Sequence, residues 1–106
     1  ANYNQTLSNA IREVADAVQV ARALDAQIAS TRIARDTAAQ AHALVMQRHR
    51  AGLSNRLDVL AAQKPLLQFD QQLAALNANR RSASIDLDQA LGGGIAIEAS
   101  NATASH

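Results

Sequence analysis

Apolar and small residues recur at helical spacing along the first half of the chain. Two series repeat every seven positions: Tyr3, Ala10, Ala17, Leu24, Thr31, Ala38 and Val45, and Leu7, Val14, Ala21 and Ile28. Such a pair of series buries one stripe of a helix, its seam, against a second helix. The chain has no Pro or Gly before Arg50, so the pattern predicts one uninterrupted helix over about residues 3–50.

The second of these series loses its apolar residues after Ile28. The same positions then hold Arg35, His42 and His49. We therefore expect the buried stripe to move towards three neighbouring positions, as a stutter in the repeat would produce: Ala34, Ala41 and Leu44.

A glycine-centred break, "RHRAGLSNRLDVLAAQ", follows this helix. Glycine just past a helix takes the left-handed conformation that ends it, and the last turn of a helix favours cations. Gly52 is such a glycine, and the last turn before it contains Arg48 and Arg50. Ser54 or Asn55 can cap the next helix, with Asp58 in its acid-favouring first turn. We predict a turn over residues 51–55.

A second helix is predicted over about residues 56–91, ending at "LGGG". Its seam contains Val59, Leu66, Leu73, Arg80 and Leu87 together with Phe69, Leu76, Ala83 and Ala90. A second stripe beside the seam indicates contacts on more than one side: Leu60, Leu67 and Ala74. Arg80 either pairs with an acidic side chain of a neighbouring helix or extends its charged head to solvent.

The predicted fold is all-α, a long antiparallel helical hairpin of the coiled-coil type over residues 1–94, followed by a disordered tail over residues 95–106. The chain of 106 residues has one Phe, one Tyr, one Met and no Trp, so few large side chains are available for a core. Two thin helices bury too little surface to be stable alone. Partner helices are therefore implied.

Charge and chemistry exclude several function classes. Ten basic and nine acidic residues are scattered along the chain without a basic block, so nucleic acid is a poor partner. No constellation of catalytic residues or phosphate-cradling loop is present, and we expect neither an enzyme nor a cofactor. His42 and His49 lie seven residues apart, too far to share a metal without outside ligands, so we expect no metal site. No apolar run is long enough to span a membrane.

Three separated motifs give a resemblance to a known family. "AIREVADAV" in the first helix, "RHRAGLSNRLDVLAAQ" at the turn and "ALGGG" at the end of the second helix resemble the carboxy-terminal part of TolC-like outer-membrane efflux proteins. The likeness covers about residues 3–94 and is greatest to the lipoprotein subfamily that serves resistance-nodulation-division pumps. The family turn usually has tyrosine where this chain has His49, which puts in question any contact that needs a phenol.

The resemblance implies a place in a trimer whose β-barrel continues into a periplasmic α-helical tunnel. The chain is then a fragment of this tunnel, a passive conduit of a tripartite efflux system, and its contact with the outer membrane lies in parts of the protein not present in this chain. The implied partners are two further copies, a periplasmic adaptor and, indirectly, an inner-membrane pump. The implied docking edge for the adaptor is Gly52, Leu53 and Ser54.

Charged residues around the turn form a second candidate set, for contacts that hold a tunnel end closed: Arg48, His49, Arg50, Arg56 and Asp58. Helix chemistry also explains the turn without any function, because Gly52 ends one helix while Asn55 and Asp58 start the next. Solvated charges at helix ends are an equally simple interpretation. A self-associating coiled-coil scaffold without a transport role is the alternative function.

Overall fold

The computed structural model describes residues 2–95, which form two α-helices and one π-helical segment. Helix α1 spans Asn2–Arg50, helix α2 spans Arg56–Gln89, and the π-helical segment spans Ala90–Ile95. Residues 51–55 connect the two helices, and no strand occurs within residues 2–95. The predicted all-α antiparallel hairpin is confirmed.

The chain divides into two compact units. The turn unit is Ala26–Asn77, and the terminal unit combines Ala1–Asp25 with Ala78–His106. Each unit contains a segment of α1 paired with a segment of α2. Apart from Ile95, the predicted tail lies outside the described residues.

In the turn unit, α1 keeps its original repeat beyond Ile28. Ile28 is buried and Arg35 and His42 are half-buried. Of the three positions expected to take over, Ala34 is half-buried, but Ala41 and Leu44 are exposed. The expected shift of the stripe is therefore wrong for Ala41 and Leu44. The physical reason is that Arg35 stays on the seam and directs its guanidinium to Asp70 of α2, with 2.9 Å between Nε and Oδ1. A long arginine side chain can cover apolar surface while its charged head reaches a polar partner.

In the terminal unit, the buried residues have small side chains. Ala10, Ala21 and Ala83 are buried. Arg80 interrupts the seam of α2 and pairs across to α1, with 2.7 Å between its Nε and Asp25 Oδ1. Its Nη1 also donates to Ser84 Oγ at 2.6 Å. Of the two sequence-based interpretations of Arg80, pairing with a neighbouring helix is the one that the structure shows.

The two arginine–aspartate pairs correspond to the same alignment of α1 with α2. Asp25 and Arg35 lie as many residues apart in α1 as Asp70 and Arg80 do in α2. Each unit therefore keeps the same antiparallel register. Hydrogen bonding to Asp70, followed by its charge, raises the pKa of the Arg35 guanidinium above its ordinary value.

The residues predicted to form the seam of α2 are the ones whose exposure is reduced, as expected for side chains that face α1. Ala83 is buried, and the other predicted seam positions are half-buried, including Phe69 and Arg80. The second stripe behaves differently, since Leu60, Leu67 and Ala74 are all exposed.

Two helix-breaking features of α2 do not interrupt its helical backbone. Pro65 lies inside α2 without ending it. At the carboxyl end, helical backbone continues in π geometry through the glycines, because glycine disfavours a helix without forbidding it.

The Arg80–Asp25 pair is expected to show measurable but small coupling. Arg80 is 31% and Asp25 59% exposed, so solvent screens the charges, and the coupling free energy should be about 0.5–1 kcal/mol. A double-mutant cycle of Arg80→Gln and Asp25→Asn, followed by urea unfolding and circular dichroism, measures it. The same cycle with Arg81→Gln in place of Arg80→Gln is the control and should give no coupling. Equal coupling in both cycles would contradict the pairing.

Candidate interaction site at the turn

Gly52 ends α1 through two hydrogen bonds that close the last turn. The Leu53 amide donates to the Arg48 carbonyl at 2.8 Å, and the Gly52 amide donates to the His49 carbonyl at 3.0 Å. This is the Schellman arrangement, which requires a left-handed residue at the position of Gly52. Its φ is 77°. The prediction that glycine ends this helix is confirmed.

Asn55 starts α2 through a reciprocal pair of hydrogen bonds with Asp58. The Asp58 amide donates to Asn55 Oδ1 at 2.9 Å, and the Asn55 amide donates to Asp58 Oδ2 at 3.3 Å. This is a capping box with a carboxylate at the third helical position. Of the two predicted cap residues, Asn55 and not Ser54 therefore makes the cap.

His49 closes the turn from the side of α1. Its Nδ1 lies 2.9 Å from the Ser54 carbonyl oxygen. A carbonyl only accepts hydrogen bonds, so Nδ1 is the donor in this contact. His49 thus has a structural contact in the turn itself.

The residues predicted as a docking edge differ in how far they are exposed. Leu53 is 78% exposed, and Leu57, in the first turn of α2, is 74% exposed. Gly52 is also exposed, whereas Ser54 is half-buried and its carbonyl is occupied by His49. Gly52 and Leu53 are accessible for docking, and Leu57 was missed because it also fits an ordinary helical position.

Three of the charged residues at the turn have no carboxylate partner among the described residues. Arg48, Arg50 and Arg56 are exposed. Within residues 2–95, the salt bridges involve Arg35 and Arg80 only, so none of these three arginines pairs with a carboxylate. Asp58, in contrast, is held by Asn55. The turn is therefore a basic surface with an apolar projection at Leu53.

Two features near the turn escaped sequence reasoning. Arg35 occupies a seam position just as Arg80 does, and the argument applied to Arg80 would have raised an acidic partner on the other helix as one of two possibilities for Arg35 as well. His42, Met46 and His49 line a single cleft of about 400 Å³ together with residues of α2 that include Arg56 and Gln63. Met46 carried no signal in the sequence because a lone methionine is usually a packing residue.

Comparison with known proteins gives the family. A family model described as outer membrane efflux protein matches residues 1–93. The chain belongs to the outer membrane efflux protein family. As a member of this family it is similar to the toluene efflux pump outer membrane protein TtgF of Pseudomonas putida, with 34% identity over 94 residues. It is also similar to the cation efflux system protein CusC of Escherichia coli, with 37% identity over 97 residues.

The two alignments cover 89% and 88% of this efflux-protein chain. They cover 20% of each relative, so the chain spans about a fifth of the length of the curated relatives it matches. No solved structure matches the chain with comparable significance. Within the described residues, no helix of this efflux-protein chain is apolar and long enough to cross a membrane.

Replacing Gly52 tests the turn. A Cβ built at Gly52 meets nothing within 4 Å, so Gly52→Ala should cost only the left-handed backbone, about 1–2 kcal/mol. Gly52→Asn should cost less, because asparagine tolerates that conformation. Thermal unfolding followed by circular dichroism gives the ranking.

Gly92→Ala is the matched control for these variants, since its Cβ also meets nothing within 4 Å and its φ is not positive. It should be neutral or stabilising, because alanine favours helix over glycine by about 1 kcal/mol. A loss at Gly92→Ala equal to that at Gly52→Ala would show that the left-handed conformation is not the cause.

Proposed function

We propose that the chain is a segment of the wall of a periplasmic tunnel, assembled as a homotrimer in the full-length protein. The observation that carries this proposal is the exposure of large apolar side chains on an efflux-family hairpin. The segment acts as a passive conduit and performs no catalysis. Energy comes from an inner-membrane pump, to which the tunnel is coupled through a periplasmic adaptor.

Exposed apolar residues on both helices support assembly with further hairpins. In α1, Ile11 is 57% and Ile33 69% exposed, and in α2, Leu67 is 51% and Ile85 57% exposed. These side chains point away from the seam, where the partner helix of the same chain cannot cover them. Burying one leucine or isoleucine contributes about 1.5–3 kcal/mol. Neighbouring hairpins that cover these faces supply the stability that the seam alone does not.

The turn supports docking of the adaptor at Gly52, Leu53 and Ser54. Leu53 projects further into solvent than the other large apolar side chains of the described residues. The three arginines that flank it in the sequence form no salt bridge within residues 2–95, and they can pair with acidic groups of another protein. The same arginines, with His49 and Asp58, are the candidates for contacts between neighbouring subunits that narrow the tunnel end.

Cargo selection is not proposed for this segment. The names of the two relatives state different cargoes, toluene and a cation, yet both align with nearly all of this chain at similar identity. A shared wall with varied cargo is what a passive conduit predicts. The alternative, a coiled-coil scaffold without transport, explains the exposed faces equally well, but membership of an efflux family supports the tunnel.

Cross-linking tests the docking edge. With cysteine placed by Leu53→Cys or Leu57→Cys in the full-length protein, we expect a short thiol-to-amine cross-linker to join it to lysine side chains of a co-expressed adaptor. Ile33→Cys is the matched control, because Ile33 is 69% exposed but lies about 25 Å along α1 from Arg50 at the helical rise. Equal cross-linking at all three positions, or none at either turn position, would contradict docking at the turn.

A charged substitution on the second stripe of α2 tests the proposed trimer. Leu67→Glu places a carboxylate on the face proposed to contact another hairpin, and we expect it to reduce the trimer fraction of the detergent-extracted full-length protein. Gln68→Glu adds the same charge at the neighbouring exposed position and should leave the trimer intact. Size-exclusion chromatography with light scattering measures both. A wild-type trimer fraction for Leu67→Glu would argue against this contact.

A further inference from the structure

Charge is unevenly distributed along the chain. Residues 37–69, which contain the turn, hold four basic residues and one acidic residue, a net charge of +3. Residues 1–36 have equal numbers of basic and acidic residues, and residues 70–106 have two basic and four acidic residues. The positive excess of the chain is therefore confined to the segment that contains the turn.

The basic side chains of this segment are open to solvent. All four are exposed, and within residues 2–95 none forms a salt bridge: Arg48, Arg50, Arg56 and Lys64. The arginines of the seam differ, because Arg35 and Arg80 each pair with an aspartate of the opposite helix. The arginines that align the two helices thus find carboxylates inside the chain, and those at the turn do not.

Other charges near the turn do not cancel this excess. The carboxyl end of α1 and the amino end of α2 meet there, and their partial helix charges have opposite signs and offset each other. Asp58 is the acidic residue of the segment, and its carboxylate accepts a hydrogen bond from the Asn55 amide at 3.3 Å. It forms no salt bridge with the arginines of the turn. The surface of the turn is therefore positive.

An apolar projection lies among these charges. Leu53 is 78% and Leu57 74% exposed, more than the other large apolar side chains of the described residues. In the sequence, Leu53 lies between Arg50 and Arg56, and Leu57 directly follows Arg56. Leucine gains from burial only against apolar surface. A partner that fits this surface supplies both carboxylates and an apolar recess.

The turn presents these groups in a fixed arrangement. Gly52 closes α1, Asn55 caps α2, and His49 donates to the Ser54 carbonyl. Fixed guanidinium groups suit the carboxylates of a folded protein, which they bind with defined geometry. An anionic lipid surface suits the turn less well, because binding at a membrane interface uses the apolar face of a helix that lies in the membrane plane.

We infer that the turn recognises an acidic protein surface, with Arg48, Arg50 and Arg56 pairing with its carboxylates and Leu53 entering an apolar recess. The inference rests on the proposed docking of the adaptor at the turn, and it names the chemistry of the adaptor surface. Charges act at long range and therefore set the association rate. The leucine acts only in contact and therefore sets the dissociation rate.

Zero-length cross-linking tests the acidic partner directly. Arg50→Lys in the full-length protein places a primary amine at the turn, and a carbodiimide joins an amine to a carboxylate that touches it. We expect an amide link from this position to an aspartate or glutamate of the co-expressed adaptor, assigned by mass spectrometry. Arg32→Lys is the matched control and should give no link, because Arg32 is also exposed without a salt bridge but lies about 27 Å along α1 from Arg50.

Binding kinetics test the two roles separately. The detergent-extracted full-length protein is immobilised, and the purified adaptor is bound at about 50 mM and about 500 mM NaCl. Combined replacement of Arg48, Arg50 and Arg56 by glutamine should slow association about tenfold at low salt and less than about twofold at high salt. Leu53→Ala should speed dissociation about tenfold at both salt concentrations.

Two further variants are the controls for charge and position. Replacing the same three arginines by lysine keeps the charge and should keep the association rate within about twofold. Combined replacement of Arg12, Arg22 and Arg32 by glutamine removes as much charge from exposed positions of α1 outside the turn, and should also change association by less than about twofold. Circular dichroism and the trimer fraction of each variant show whether the fold and assembly persist.

The failure of this inference differs from the failure of docking itself. If Leu53→Cys joins the adaptor while Arg50→Lys gives no carboxylate link and association does not depend on salt, the acidic partner is wrong and docking stands. If neither position reaches the adaptor, both proposals fall.

Two other results would assign the arginines elsewhere and overturn the inference. One is loss of the trimer in the glutamine variant with adaptor association unchanged, which would place the arginines between subunits. The other is loss of binding to vesicles of equimolar phosphatidylglycerol and phosphatidylcholine with adaptor association unchanged, which would make anionic lipid the partner.

Discussion

Packing between α1 and α2 depends on small side chains. Among residues 3–93, whose burial the structure describes, the buried apolar residues are Ala10, Ala21, Ile28 and Ala83. Alanine lets helices approach closely but removes little apolar surface from water, so each contact stabilises the pair only modestly. Much of the large apolar surface is left on the faces away from the seam. A thin seam and exposed outer faces are therefore two consequences of the same composition, and the need for neighbouring hairpins follows from both.

Polar groups in the seam add specificity to this weak packing. A seam of alanines and leucines fits against itself in more than one register, because neighbouring positions are similar in size. Arg35 and Arg80 remove that freedom, since each finds an aspartate on the opposite helix only in one register. Both pairs are partly exposed, so they contribute less to the free energy of unfolding than to the choice of alignment.

The turn combines three local devices in a short segment. Gly52 ends α1, Asn55 and Asp58 start α2, and His49 joins the two sides through the Ser54 carbonyl. These contacts use main-chain groups and small polar side chains, which leaves Leu53 and the arginines directed outwards. A rigid turn with a free apolar projection suits an interaction surface, because little conformational entropy is lost when a partner binds.

Elements of this fold that depend on local chemistry were predictable from the sequence. Helix propensity, the seven-residue repeat, the glycine stop and the capping residues act over a few positions, so both helices, the turn and the seam of α2 followed from the pattern. Three features depended on residues distant in sequence: the partners of Arg35 and Arg80, the persistence of the seam through His42, and the cleft that gathers His42, Met46 and His49. They were decided only when α2 lay against α1 in one register, because a side chain's partner across a hairpin is set by alignment and not by its neighbours in the chain.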